Sequence, residues 1–242
     1  MTTSVTTATV ARGAGAWGIG LRWIGASALG FSVGFGAFMV VEGALGHPED
    51  GGLAATLGSL IGPGPANLLG HSVALAVMGT LIGLAQAQVL HEWLGHRGRW
   101  ILSTATGFGV ALSVGGLLLL PAGVANGARP IPKPFDLPLA FVLAATLAAG
   151  LQWLTVLWRR VRGAGWWLVV SPVAVALGLA FGVAIAFSLA ALVGEDEFHA
   201  LGATVVPSLV GMLGGALVGA VTWAFLAPRL RGHHLEGDVG GV

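Results

Sequence analysis

The sequence has no cysteine among its 242 residues. That absence excludes disulfides, thiolate metal sites and cysteine nucleophiles. It has one lysine, Lys133, in a break between apolar runs, so no membrane-buried lysine is present to carry a Schiff base. Charge of either sign is scarce: Asp, Glu, Lys and Arg make up 9% of the chain, and the net charge is +1. A soluble domain carries about 25% charged residues, because its surface has to be solvated. A chain this poor in charge cannot clothe a globule in polar groups, and no nucleic-acid partner is expected of it.

Apolar residues take the place of charge, at 55% of the chain with a mean hydropathy of +0.88. The solvent that accepts such a surface is lipid. A spanning helix needs about 20 mostly apolar residues, and six stretches qualify: 23–41, 67–89, 100–120, 137–157, 166–193 and 205–227. Proline, glycine and charge punctuate the breaks, as in His47-Pro48-Glu49-Asp50 and Gly62-Pro63-Gly64-Pro65. The expectation is an all-α polytopic membrane protein: a tail and interfacial segment over 1–21, a six-helix domain over 22–228 and a second tail over 229–242. A secretory signal peptide is not expected, since the first apolar stretch is too long and no small-x-small site follows it.

Arginine placement sets the orientation. Arg12, Arg22, Arg97, Arg99, Arg159, Arg160, Arg162, Arg229 and Arg231 fall on one side of the six spans, with Arg129 and Lys133 on the other. The positive-inside rule then puts both termini in the cytoplasm, for a protein of the bacterial inner membrane. All nine tryptophans lie toward the same side, as an interfacial belt would.

An internal repeat stands out. Segments 22–33 and 99–110 are identical at seven of twelve positions: both begin Arg-Trp-Ile and share Ala28/Ala105, Gly30/Gly107, Phe31/Phe108 and Val33/Val110. Trp166-Trp167-Leu168 opens the fifth span more loosely alike. Among the even spans, Thr80-Leu81 with Gln86 matches Thr146-Leu147 with Gln152, while Leu81, Gly83 and Leu90 match Leu217, Gly219 and Leu226. The pattern predicts three tandem hairpins facing one way about a pseudo-threefold axis.

Polar residues inside the spans are the candidate site. Gln86, Gln152 and Thr222 hold equivalent places, each roughly 10 Å inside one boundary at 1.5 Å per residue, and Gln88 is near. An amide in hydrocarbon has to find a partner, so these four are expected either to converge on a central polar site or to fasten helices. Gly211, Gly215 and Gly219 share one face of the last span, as a close helix-packing or oligomer surface. Outside the spans, His47, Glu49, Asp50, Glu195, Asp196, Glu197 and His199 form an acidic and histidine-bearing set with His71 near it. A solvated outer face is expected rather than a metal site, since no tight ligand spacing appears. His91 and His96 are five apart, about 140° around a helix, so His91-Glu92-Trp93-Leu94-Gly95-His96 is not a zinc-protease motif. Only His71 lies clearly inside a span, so no bis-histidine cofactor site is expected and no cofactor is assigned. The stretch 51–61 is apolar but too short to cross, as a re-entrant or surface helix would be.

The exits Gly83-Leu-Ala-Gln86-x-x-Val89-Leu90 and Gly150-Leu-Gln152-Trp153-Leu-x-Val156-Leu157-x-Arg159 resemble those of uncharacterised bacterial multi-pass proteins with Gly-x-x-Gln-Trp-x-Val-Leu-Arg type repeats. The likeness implies a membrane protein of six to eight helices and supplies no activity. Mitochondrial carriers also have three hairpins, but their Pro-x-Asp/Glu-x-x-Lys/Arg signature is absent. No Ser/His/Asp set or carboxylate pair suggests an enzyme. Two readings remain: binding or transport of a small neutral or weakly polar molecule, or a structural or accessory subunit of a larger membrane complex. The partners expected are the bilayer and either further copies of the chain or other subunits.

Overall fold

The structure is a computed structural model describing residues 4–45, 52–94, 96–124, 136–159, 161, 163–193 and 205–237. Among these it is 96% helical, with no strand. The described residues include seven α-helices: α1 (Ser4–Leu45), α2 (Gly52–Ile61), α3 (Pro63–Leu94), α4 (Arg97–Val124), α5 (Asp136–Gln152), α6 (Trp167–Val193) and α7 (Val205–Gly237). Five segments are long and apolar enough to cross a membrane: Gly18–Leu45, Pro63–His91, Leu139–Leu157, Ala164–Leu189 and Val205–Pro228. The remaining expected span falls in α4, a helix of 28 residues whose side chains are described only over its first half. No more than 44% of the apolar window of any of the five segments is buried inside the protein. Most of each apolar surface therefore needs a cover from outside the chain, which lipid provides.

Local sequence explains the element ends. No proline interrupts residues 4–22, so the expected N-terminal tail continues α1 as one 42-residue helix, about 63 Å long at 1.5 Å per residue. The apolar stretch before α3 forms a ten-residue helix, α2, too short to cross, and it lies against α3 and α1. Gly62, at φ +90°, makes the reversal into α3, and Pro63 then takes the first helical position, where no amide hydrogen is needed. The loops expected near 47–50, 128–134 and 194–199 lie outside the described residues.

The long helices form a ring. α1 packs on α3, α3 on α4, α4 on α5, α5 on α6 and α6 on α7, and α7 closes back on α1. Small residues set the spacing. A Cβ on Gly215 would come within 2.7 Å of Ser27 O and Phe31 Cβ, and one on Gly219 within 2.8 Å of Ile24 Cα. At the α3/α4 contact, Gly79 faces Thr104 O and Phe108 Cβ at 2.8 Å, and Gly83 faces Ile101 Cα at 3.0 Å. The two interfaces therefore use the same pairs, with Ile24, Ser27 and Phe31 answered by Ile101, Thr104 and Phe108. Ala145 and Ala149 occupy the corresponding places on α5, where α5 and α6 pack less closely.

Two buried clusters fill the ring. One is built on Phe31, Phe38, Met78, Phe108 and Phe141. The other, toward the opposite ends of the same helices, gathers Trp23, Trp100, Trp167, Leu90, Leu157 and Leu226.

Candidate functional site

The candidate site lies in the tryptophan cluster. Three helices carry the indoles: Trp23 midway along α1, Trp100 in the first turn of α4 and Trp167 at the start of α6, each 2% exposed or less. Each indole N–H reaches back to the polar residue of the helix before it in the ring. Trp100 Nε1 donates to Gln86 Oε1 at 3.3 Å, Trp167 Nε1 to Gln152 Oε1 at 2.8 Å, and Trp23 Nε1 to Thr222 Oγ1 at 2.9 Å. Each glutamine then spends its amide N–H on a hydroxyl one turn beyond a tryptophan. Gln86 Nε2 donates to Ser27 Oγ at 3.3 Å, and Gln152 Nε2 to Thr104 Oγ1 at 2.9 Å. Thr222 is too short to reach across in the same way, and its hydroxyl turns to Val218 O at 2.7 Å.

The rings stack as well as bond. Trp23 and Trp100 meet edge to face with centroids 6.3 Å apart, Trp100 and Trp167 lie 5.9 Å apart, and Trp167 and Phe225 lie 6.2 Å apart. Such pairs add roughly 0.5–1.5 kcal/mol each beyond area burial. Neither of the two cavities described below is lined by Gln86, Gln152 or Thr222. Three of the four predicted polar residues thus share a buried, bonded layer.

Gln88 does not join them. It is exposed, because two helical residues separate its side chain from that of Gln86 by about 200°. The glycine ladder is also placed: Gly211, Gly215 and Gly219 face Phe31, Ser27 and Ile24 of α1 within the same chain. The helix-packing use accounts for all three, and that face is not open to a second copy.

Sequence reasoning missed Ser27, Thr104 and the indoles as partners. The signal was present as a tryptophan followed four residues later by a hydroxyl, at Trp23/Ser27, Trp100/Thr104 and Trp167/Ser171. One helical turn puts those two groups on one face.

At the other end of the bundle, Glu42 of α1 meets His71 of α3, with Nε2 2.9 Å from Oε1. His71 Nδ1 lies 2.8 Å from Asn67 O, a carbonyl that only accepts, so Nδ1 carries a hydrogen. Nε2 is then the ring nitrogen that faces the carboxylate. The second carboxylate oxygen, Oε2, is buried and has no partner, and no other buried side-chain nitrogen or oxygen among the described residues is left so. His47, Glu49, Asp50, Glu195, Asp196, Glu197 and His199 lie outside the described residues. Among the described ones no group of three acidic or histidine ligands forms.

A cavity lies elsewhere among the described residues. It is a half-open groove of about 480 Å³ lined by His96, Arg99, Leu154, Thr155, Trp158 and Arg159 among others. A narrow cleft between Ala87, Leu90, His91, His96, Arg97, Trp100 and Val156 adjoins it. Past Gln152 the chain loosens into a π-helix, Trp153–Leu157, with Trp158 N bonded to Trp153 O at 2.8 Å. Thr155 anchors that turn to α4 through Ser103 Oγ at 2.9 Å. Gly163, at φ 70°, then reverses the chain into the short 3₁₀ turn Ala164–Trp166 that leads to α6.

In comparison with known proteins, no protein-family model, no curated protein and no solved structure matches this chain.

Proposed function

We propose that the chain is a six-span inner-membrane protein built from three tandem hairpins about a pseudo-threefold axis, serving as a structural or accessory subunit of a larger membrane assembly rather than as an enzyme. One observation carries the role: Gln86, Gln152 and Thr222, inside the apolar spans, are taken up by hydroxyls, indoles and a backbone carbonyl. A translocation path needs such groups facing water, whereas Gln86, Gln152 and Thr222 are each 7% exposed or less. The hairpin reading is supported by the matching contacts of Gly79 with Phe108 and of Gly215 with Phe31, and by the repeated tryptophan-to-amide bond. Kinship with the bacterial Gly-x-x-Gln-Trp repeat proteins rests on the two exits at Gln86 and Gln152 in the sequence. Nine arginines on one side support cytoplasmic termini. Purification from native membranes in mild detergent, followed by mass spectrometry of co-purifying chains, tests the role. A stoichiometric partner is expected; a lone chain that passes small neutral solutes in proteoliposomes overturns it.

The reading as a transporter of a small, weakly polar molecule keeps one support, the Glu42–His71 pair with its unpaired carboxylate oxygen. Ionisable groups in a span commonly mark transport pathways. Under that reading Glu42→Gln abolishes solute flux; under the accessory reading there is no flux to lose.

A further inference from the structure

We infer that the groove between the start of α4 and the π-turn after α5 binds the phosphate headgroup of an anionic phospholipid. Its wall carries two arginines, Arg99 and Arg159, with His96 and Thr155, and no carboxylate is among its described lining residues. Arg99 and Arg159 are both exposed, so their forks are accessible to a ligand. Guanidinium groups match phosphate oxygens two at a time, and basic pockets between membrane helices at the interface suit anionic headgroups.

The surroundings select a lipid over a free anion. Leu154 and Trp158, which line the groove, are 62% and 59% exposed, an apolar surface suited to acyl chains beside the polar mouth. Trp158 belongs to the tryptophan belt that marks headgroup level. The π-turn gives the groove its form. One extra residue in the turn widens the helix between Gln152, held inward by Trp167, and Trp158, held edge to face on Trp153 at 5.3 Å. Such turns often sit at functional positions.

The inference rests on the chain lying in a bilayer, and the test separates the two. Resistance of the full-length protein to carbonate extraction from membranes reports the bilayer placement alone; a chain that extracts overturns that placement and the lipid site with it. Native mass spectrometry of the delipidated protein, titrated with phosphatidylglycerol or phosphatidylcholine of matched chains, reports the site. A membrane-embedded protein is expected to bind phosphatidylglycerol at least tenfold more tightly, with about fivefold lost per arginine removed and about thirtyfold for Arg99→Gln with Arg159→Gln. Arg97→Gln, which removes the same charge from the neighbouring cleft, is expected to change it less than twofold. Inorganic phosphate at millimolar concentration is expected not to displace the lipid. Equal binding of both lipids, an equal loss with Arg97→Gln, or displacement by phosphate alone overturns the assignment. Should the double variant fail to fold, the wild-type preference for phosphatidylglycerol and the single variant Arg99→Gln, expected to lose about fivefold, still decide it.

Discussion

Replacing Gln152 by methionine keeps the length and volume of the side chain and removes both of its hydrogen bonds. The acceptor for Trp167 Nε1 at 2.8 Å disappears, as does the donor to Thr104 Oγ1 at 2.9 Å. Thr104 keeps its own bond to Trp100 O at 2.9 Å, so on that side only a lone pair is idle. Trp167 is 2% exposed, and its indole N–H is left with neither protein partner nor water. An orphaned buried donor costs about 1–3 kcal/mol, while hydrogen bonds between membrane helices have measured about 0.6 kcal/mol on average and up to about 1.7. Taking the overlap of these ranges for Trp167 and a few tenths for Thr104, Gln152→Met is expected to destabilise by about 2 kcal/mol. Reversible unfolding in mixed micelles, monitored by tryptophan emission, measures it. A double-mutant cycle with Trp167→Phe isolates the bond, with an expected coupling of about 1 kcal/mol. Gln88→Met, on an exposed side chain, is the control and is expected to change stability by less than about 0.5 kcal/mol. If Gln152→Met behaves like Gln88→Met and the coupling vanishes, the tryptophan–amide layer does not hold the bundle.

Further outcomes follow from the same contacts. Thr222→Val, equal in shape, removes the acceptor of Trp23 and is expected to cost about 1 kcal/mol in the same unfolding assay. Gly215→Ala drives a methyl into Ser27 O and Phe31 and is expected to cost about 1–3 kcal/mol. Gly150→Ala, where an added Cβ meets nothing within 4 Å, is expected to stabilise by about 0.5–1 kcal/mol through helix propensity alone. His71→Ala strips the partner from a carboxylate that is about one-fifth exposed and is expected to destabilise by roughly 1–2 kcal/mol. Glu42→Gln retains an oxygen or amide facing the imidazole and is expected to stay within about 0.5 kcal/mol of wild type. All five are read as shifts of the unfolding midpoint at constant slope.

The sequence displayed the helices because hydrocarbon imposes a simple composition on them, and proline and glycine marked their ends. Residues 4–21 read as a tail because charge and glycine dilute their apolar character, yet nothing there breaks a helix. Equivalent depth singled out Gln86, Gln152 and Thr222, because depth follows directly from counting residues along a helix. Which way each side chain faces depends on rotation as well, and that is why Gln88 was grouped with them and belongs on the other side. The pairing of Glu42 with His71 joins residues 29 apart in sequence across two helices; neither lies in a motif that announces it. The basic groove was hidden because it depends on a π-turn, which shifts the helical register after Gln152 in a way no periodicity predicts.

Closure of the ring by α7 on α1 is the central structural claim, and the absence of native cysteine makes it directly measurable. A Cβ on Gly36 would lie 3.0 Å from Ser208 Oγ, within reach of the roughly 3.5–4.5 Å that separates the Cβ atoms of bonded cysteines. The pair Gly36→Cys with Ser208→Cys, oxidised in native membranes, is predicted to lose both thiols to maleimide labelling while remaining a monomer on non-reducing gels. The pair Gly36→Cys with Ser188→Cys, whose second position is exposed on α6, is predicted to keep both. Thiols that remain reactive in the first pair, or that disappear only into dimers, contradict the closed ring.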